Sequence, residues 1–307
     1  MLPNAILCGV GTLALISYFS HTWLGEIVCS FKVYYSFIFL AACIWFAILR
    51  KSHFVALSVL FLVLNSWSLV ELYESPNTAS APEKTKLTLM QVNVDKSNRN
   101  FEILTSYIRT KKPDVVAVEE YTPECDRALR QALPEYRYVV TEPRTDYFGI
   151  ALYSKIQIVS SRLFTPKVVG PGEPAIISTV RKNNQQFQIV AVHVYAPHRP
   201  QEMQLRDEQL RQIADAVKLI QRPTILLGDL NTTPWSSKLN HFLFCVGLKN
   251  SGIGFGIKPT CCIRSIFWIP IDYCLIPCDA HVGSYEVGPT FGSDHCPLFV
   301  TVDMPVR

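Results

Sequence analysis

Two short segments carry the residue types that cleave phosphoesters. Gly228-Asp229-Leu230-Asn231 and Gly292-Ser293-Asp294-His295 each set an acid beside a hydrogen-bonding side chain. Each follows or precedes an apolar run of the kind that forms a buried strand. Strand ends that present Asp, Asn and His supply what metal-assisted cleavage of a P–O bond needs: oxygen ligands for a hard cation and a base for water. Hydrolysis is the leading reading of this pair.

Other positions repeat the arrangement. Asn93 follows Leu89-Met90-Gln91-Val92, Glu120 follows Val115–Glu119, and His193 follows Ile189–Val192. Asp272 lies inside Ile269-Pro270-Ile271-Asp272-Tyr273. Singly, each has a structural explanation. Asn93 closes a turn, Glu120 is a solvated strand end, and His193 is a hydrogen-bonded structural imidazole. Asp272 pairs with an arginine, and Asp229-Leu230-Asn231 caps the helix after Pro234. Jointly these explanations fail, because burying so many polar groups is costly unless they satisfy one another or a cation.

The elements that must position them are readable from hydrophobic period. Strands are predicted over Leu87–Val94, Asp114–Val118, Tyr136–Val140, Gly149–Tyr153 and Ile156–Val159. Further strands are predicted over Thr224–Leu227, Ile271–Ile276, His281–Val287 and Leu298–Val302. Ala175–Arg181 and Gln186–Val194 flank Lys182-Asn183-Asn184-Gln185 and read as a hairpin, since Asn tolerates positive φ. Helices are expected around Phe101–Ile108, ended by Pro113, and over Glu124–Leu133, Met203–Ile220 and Trp235–Val246. That pattern is neither regular βαβ alternation nor pure β. Two packed sheets with helices outside is the natural solution.

The chain has 307 residues, 49% hydrophobic and 18% charged, with a net charge of +4. No run of five or more basic residues exists, so charge alone does not argue for a nucleic-acid partner. Of the ten cysteines, Cys8, Cys29 and Cys43 lie in apolar surroundings. The other seven read as buried thiols or one or two disulfides. A zinc site from Cys261, Cys262, Cys274 and Cys278 lacks the CxxC spacing of a knuckle.

The apolarity is local. Residues 1–70 hold only Glu26, Lys32, Arg50 and Lys51 as charged side chains. Leu2–Ser20, Val33–Leu49 and Phe54–Val70 are each close to the ~20 residues a bilayer crossing needs. They lack the polar face of a soluble bundle, so about three transmembrane helices are expected. No basic residue precedes the first segment, which favours retained helices over a cleaved signal. Arg50 and Lys51 in the second connection place it in the cytoplasm by the positive-inside rule, and three crossings then put the rest outside. Lys32, Lys84 and Lys86 pull the other way. The expected organisation is a transmembrane region at 1–70, a linker at 71–85 and a catalytic domain at 86–307.

Together the motifs resemble the endonuclease/exonuclease/phosphatase superfamily with the deoxyribonuclease I-like fold. The matching segments are Gln91-Val92-Asn93-Val94, Pro113–Glu120, Ala191-Val192-His193, Gly228–Asn231, Ile271-Asp272-Tyr273 and Ser293-Asp294-His295. The family usually carries Gln where this chain has Glu119. The apolar N-terminus is similar to a membrane-anchored bacterial subgroup, the YafD-like proteins. The resemblance implies an α/β four-layer sandwich, with two mixed sheets flanked by helices. It implies a Mg²⁺ or Mn²⁺ site from Asn93, Glu120 and Asp294. Asp229 and His295 are both candidates for the base, with Asp272 setting the His295 tautomer. Asn231 would orient water or a phosphate oxygen. His193 would bind a non-bridging oxygen or protonate the leaving group.

Expected partners are the membrane and a phosphoester substrate, either nucleic acid or a lipid head group; no protein partner is inferable. Arg99, Arg144, Arg199, Arg206 and Arg264 are candidates to line a nucleic-acid cleft. Phe267-Trp268-Ile269-Pro270 is core, or touches lipid or a base. Three hypotheses compete: a nuclease-like phosphodiesterase, a phospholipid or inositol-phosphate phosphoesterase, and a catalytically inactive membrane interaction module.

Overall fold

In the computed structural model the described residues are 2–74, 84–167, 172–264 and 266–306. The N-terminal region forms helices α1 (Leu2–Ile16), α2 (Trp23–Cys29), α3 (Lys32–Ile48) and α4 (Ser52–Val70). Next come β1 (Lys84–Asn93), α5 (Glu102–Lys111), β2 (Val115–Glu119), α6 (Pro123–Ala132), β3 (Tyr138–Glu142), β4 (Ile150–Ser154), β5 (Gln157–Phe164), β6 (Ala175–Lys182) and β7 (Gln185–His193). The chain continues with α7 (Pro200–Lys218), β8 (Thr224–Asp229), α8 (Ser237–Val246), β9 (Leu248–Asn250), β10 (Cys261–Ile263), β11 (Phe267–Ile269), β12 (Asp272–Pro277), β13 (His281–Val287) and β14 (Leu298–Pro305).

Local chemistry sets the boundaries. Lys112 adopts a left-handed backbone just before Pro113 and stops α5. Thr122 caps α6 through the Cys125 amide, with Pro123 at its first turn. Asn183 and Asn184 take the positive φ of the β6–β7 turn.

Two six-stranded sheets result, ordered β13-β14-β1-β2-β4-β3 and β5-β6-β7-β8-β12-β9. Each centres on one parallel pair: β1 with β2, and β7 with β8. Strand alternation divides the side chains cleanly. Leu87, Leu89, Val115, Ala117, Ile189, Ala191, Ile225 and Leu227 fill the space between the sheets. The intervening Met90, Val92, Val116 and Val118 pack outward against α5 and α6. Val190, Val192 and Leu226 pack against α7 and α8. The architecture is thus helix, sheet, sheet, helix.

The sequence pattern missed three short strands, β9, β10 and β11. At three residues each, they are below the length at which alternation is visible. All ten cysteines are free, and of Cys261, Cys262, Cys274 and Cys278 only Cys261 falls in a group of potential metal ligands among the described residues, with Asp294 and His295.

The N-terminal region departs from three separate spans. The helix Ser52–Tyr73, which runs from α4 through a short 3₁₀ turn, is long and apolar enough to cross a membrane. The α3 helix is shorter, and α1 with α2 forms a broken pair bent by 117°. Of the expected linker, Glu71–Tyr73 continues α4 in that 3₁₀ turn, residues 75–83 lie outside the described set, and Lys84 already opens β1.

Gly228 is a point of close approach in the second sheet. A Cβ there would lie 1.9 Å from the Val192 carbonyl oxygen, so β7 and β8 approach closely only because no side chain intervenes. Gly228→Ala is expected to lower stability by ~1–3 kcal/mol through overpacking, read by denaturant unfolding.

Candidate active site

The inter-sheet face of each central strand is apolar until its last residues, where it becomes polar. Gln91 and Asn93 continue the face of Leu87 and Leu89 on β1, and Glu119 continues that of Val115 and Ala117 on β2. His193 ends β7, Asp229 ends β8, and Asp272 opens β12. Parallel register aligns Asn93 with Glu119 and His193 with Asp229, while antiparallel register sets Asp272 opposite Asp229. One end of the core is therefore a polar pocket.

All eight residues singled out in the sequence lie at or beside this end. The Asn93 amide nitrogen is 3.1 Å from Glu120 Oε1 and 3.4 Å from Asp229 Oδ2. Glu120 Oε2 accepts from the Lys96 amide at 3.0 Å. The adjacent Glu119 is fully buried and accepts from Gln91, so Glu120, half-buried beside Asn93, is the glutamate that faces the pocket. Glu120 and Asn231 both hold left-handed backbone, with φ of 55° and 48°. Asn tolerates that conformation, whereas for Glu120 it is costly and persists where the surroundings enforce it. Asn231 donates its backbone amide to Asp229 Oδ1 at 2.8 Å and its side chain to the Val194 carbonyl at 2.9 Å.

His295 Nδ1 is 2.8 Å from Asp272 Oδ2, and His295 Nε2 is 3.7 Å from Asp229 Oδ2. His193 Nε2 is 3.8 Å from the same oxygen. His193 Nδ1 lies 3.1 Å from the Tyr147 carbonyl, which only accepts, so the Nδ1 proton is fixed there and Nε2 faces the pocket. Ligand atoms of Asp229, Asp272 and His295 fall within 4.8 Å of one another, as do those of Cys261, Asp294 and His295. Asp294 is the exposed member of the second group.

These neighbours move the titrations. Burial alone pulls His295 down, but the Asp272 carboxylate and its hydrogen bond outweigh it and hold the imidazole well above its ordinary value. Burial pushes Asp272 up, but the His295 charge and hydrogen bonds from His295, Thr260 and Gln91 leave it below the usual range. Asp229 is pushed up to about 8 by burial and then by the Asp272 charge. Burial lowers His193 and keeps it neutral. Glu119 is raised well above its usual range by burial and by Asp272 and Asp229, so it is an uncharged carboxyl close in character to glutamine. Asp294 is raised by burial, with Asp95 and Glu120 adding repulsion.

The residues fit a divalent cation. Glu120 and Asp294 offer carboxylate oxygens, and the Glu120 charge raises Asp294; Asn93 turns its amide nitrogen to Glu120 and Asp229, while its Oδ1 accepts from the Asp95 amide at 3.1 Å and keeps a second lone pair for a cation. The imidazole of His295 lies against both Asp229 and Asp272, and that of His193 against Asp229.

Several supporting residues carry no single-sequence signal. Gln91 donates to both Glu119 and Asp272, at 2.8 and 2.7 Å. Thr260 Oγ1 accepts from the Ile271 and Asp272 amides. Ser293 Oγ donates to the Asn93 carbonyl at 2.9 Å and accepts from the His295 amide. Of the arginines considered as cleft cations, Arg206 is fully buried and so touches no substrate. Arg99 pairs with Glu124, and Arg144 with Asp146. His198 is exposed. Phe267 packs on the rings of Phe31 and Tyr34, whereas Trp268 and Ile266 are exposed.

Residues 90–295 match the endonuclease/exonuclease/phosphatase family, and the chain belongs to it. It is an enzyme that hydrolyses phosphoester bonds. Its fold is similar to that of an endonuclease/exonuclease/phosphatase family protein from Bacteroides thetaiotaomicron, with a TM-score of 0.61 at 16% identity over 73% of this chain and 100% of that one. A Bacteroides vulgatus relative gives 0.61 at 19%, covering 72% and 100%. D. rerio TDP2 complexed with a single-strand DNA product gives 0.60 at 16%, covering 71% and 99%. No curated protein matches the chain in sequence.

An acid whose folded value lies above its unfolded one binds more protons when folded, so it stabilises less as pH rises between the two. In cation-free protein, stability is therefore expected to fall from about pH 4 to about pH 8 as Asp229 ionises. Thermal unfolding in chelator should show this slope, and Asp229→Asn should flatten it.

Proposed function

We propose that the protein is a membrane-anchored, divalent-cation-dependent phosphodiesterase of nuclease-like action. One observation carries the reading: Asn93, Glu120, Asp229, Asn231, His193 and the Asp272–His295 pair converge at the polar end of one core. Asn93, Glu120 and Asp294 would hold Mg²⁺ or Mn²⁺. The cation would supply polarisation of a phosphoryl oxygen and offset charge at the leaving oxygen.

The protein's own groups divide the remaining work. Asp272 holds His295 protonated, and a protonated imidazole donates and cannot act as a base. Asp229 is thus the base, with a carboxylate made more basic by burial. Asn231, anchored to Asp229 and Val194, orients the attacking water. His295 holds a phosphate oxygen. His193, neutral in the free protein, takes up a proton with the incoming anion and binds a non-bridging oxygen.

A nucleic-acid strand is the favoured substrate because TDP2, a fold relative, is known with a single-strand DNA product. A lipid head group is the second reading, favoured by contacts between the apolar N-terminal region and loops beside the pocket: Trp23 with Pro197, and Tyr34 with Trp268. Residues 1–70 form the anchor and 86–307 the catalytic domain. The α3–α4 hairpin carries Arg50 and Lys51 at its turn, while Ser20 at the other end touches Ser237. This polarity supports a cytoplasmic turn and an extracytoplasmic catalytic domain by the positive-inside rule.

The full-length protein in detergent should hydrolyse one of DNA, RNA, sphingomyelin or an inositol phosphate. Chelator should abolish turnover and Mg²⁺ or Mn²⁺ restore it. Asp229→Ala should lower kcat by about a thousandfold or more with the fold intact by circular dichroism. Wild-type turnover in chelator or in Asp229→Ala contradicts the proposal.

A further inference from the structure

Glu26 lies on α2, inside the apolar N-terminal region, and is only 2% exposed. Its carboxylate does not face other N-terminal helices. Oε1 accepts from Arg206 Nη1 at 2.9 Å and from Thr232 Oγ1 at 2.6 Å, and Oε2 accepts from Ser236 Oγ at 2.6 Å. Thr232 and Ser236 belong to the loop that leaves Asp229 for α8, and Arg206 is on α7. Arg206 is fully buried, and its Nη1 also donates to the Asn231 carbonyl at 2.9 Å. A chain of contacts therefore runs from α2 through one guanidinium to the backbone of Asn231. That backbone is the left-handed one, a conformation Asn tolerates, and the guanidinium fixes the direction of its carbonyl.

Stability alone does not explain this choice of residues. Burying an ion pair costs desolvation, and well-packed apolar residues in its place are often neutral or stabilising. What the pair adds is direction: a fork with fixed geometry can aim at one carbonyl, and a leucine cannot. Neighbouring contacts seat the same elbow independently. Trp235 Nε1 donates to the Cys29 carbonyl at 2.6 Å, and the Ser237 amide donates to Ser20 Oγ at 3.0 Å.

We propose that Glu26 and Arg206 are positioning residues for the reaction: the α2 elbow of the membrane anchor clamps the Asp229–Ser236 loop and fixes Asn231 for catalysis. The anchor is then a structural part of the active-site wall as well as a tether. The proposal rests on the phosphodiesterase reading for its kinetic consequence, but not for the clamp itself.

The test uses the full-length chain in detergent with Mn²⁺ and the soluble diester bis(4-nitrophenyl) phosphate, so that membrane proximity plays no part. In the double variant Glu26→Leu/Arg206→Met the buried pair becomes apolar at similar volume. It is expected to fold with a lowered melting temperature, because the buried Thr232 and Ser236 hydroxyls and the Asn231 carbonyl lose their partners, to lose kcat by about 100-fold, and to keep KM within about threefold. Hydrogen exchange should accelerate by about tenfold or more across residues 229–236 and stay unchanged in Val116–Val118. Unchanged exchange at 229–236 overturns the clamp whatever the activity. Wild-type kcat with faster exchange overturns the catalytic role and leaves a mere staple. A wild-type chain that hydrolyses no diester, with exchange still accelerated in the variant, refutes the functional reading while the clamp stands. If the double variant does not fold, Glu26→Gln is read the same way, with about a tenfold loss of kcat expected; no loss and no faster exchange overturn the proposal.

Discussion

The structure depends on one constraint: polar side chains buried at the end of an otherwise apolar core must satisfy each other or a cation. Strand geometry creates the problem. Because alternate residues share a face, strands that fill the inter-sheet space with Leu, Ile, Val and Ala must continue that face to their ends. At one end the chain supplies Gln91, Asn93, Glu119, His193, Asp229 and Asp272 instead. Two parallel pairs bring the ends of four strands to the same place, where the cost of burial becomes a reason to bind something charged.

The network is arranged so that not every acid is charged. Gln91 spans Glu119 and Asp272 with one amide nitrogen, Glu119 is neutral, and Asp272 stays ionised against His295. This leaves Asp229 as the carboxylate whose ionisation matters, set between two imidazole Nε2 atoms and braced by the Asn231 amide. The carboxylate–imidazole pair decides which nitrogen faces the pocket, and the Tyr147 carbonyl decides it for His193. Groups that never meet substrate, such as Thr260 and Ser293, hold the loops that carry these residues.

Much of this was legible in the sequence because the strands are long enough for their period to show. Apolar runs ending in Asn93, Glu120, His193 and Asp229 marked the pocket, and Asn183-Asn184 marked a hairpin. The limits were equally physical. Hairpin β10–β11 has too few residues for alternation, although its base pairs Cys261 with His295. Gln91 and Thr260 act through tertiary partners far along the chain, and nothing local distinguishes them. Arg206 looked like a candidate substrate contact because sequence gives charge without burial. Glu26 did carry a signal: a lone acid within an apolar stretch needs a partner, and here the partner is Arg206 on α7, 180 residues along the chain. The 117° break between α1 and α2 accompanies that docking, whereas hydropathy registers only apolar length.

The central claim is that one divalent cation is held by oxygens drawn from β1, the end of β2 and the Ser293–His295 loop, beside Asp229. Anomalous diffraction from a crystal grown with Mn²⁺ tests it most directly. The account predicts a single strong peak about 2.0–2.2 Å from oxygens of Asn93, Glu120 and Asp294. A peak lying elsewhere, or none at saturating Mn²⁺ with these three side chains ordered, would contradict it.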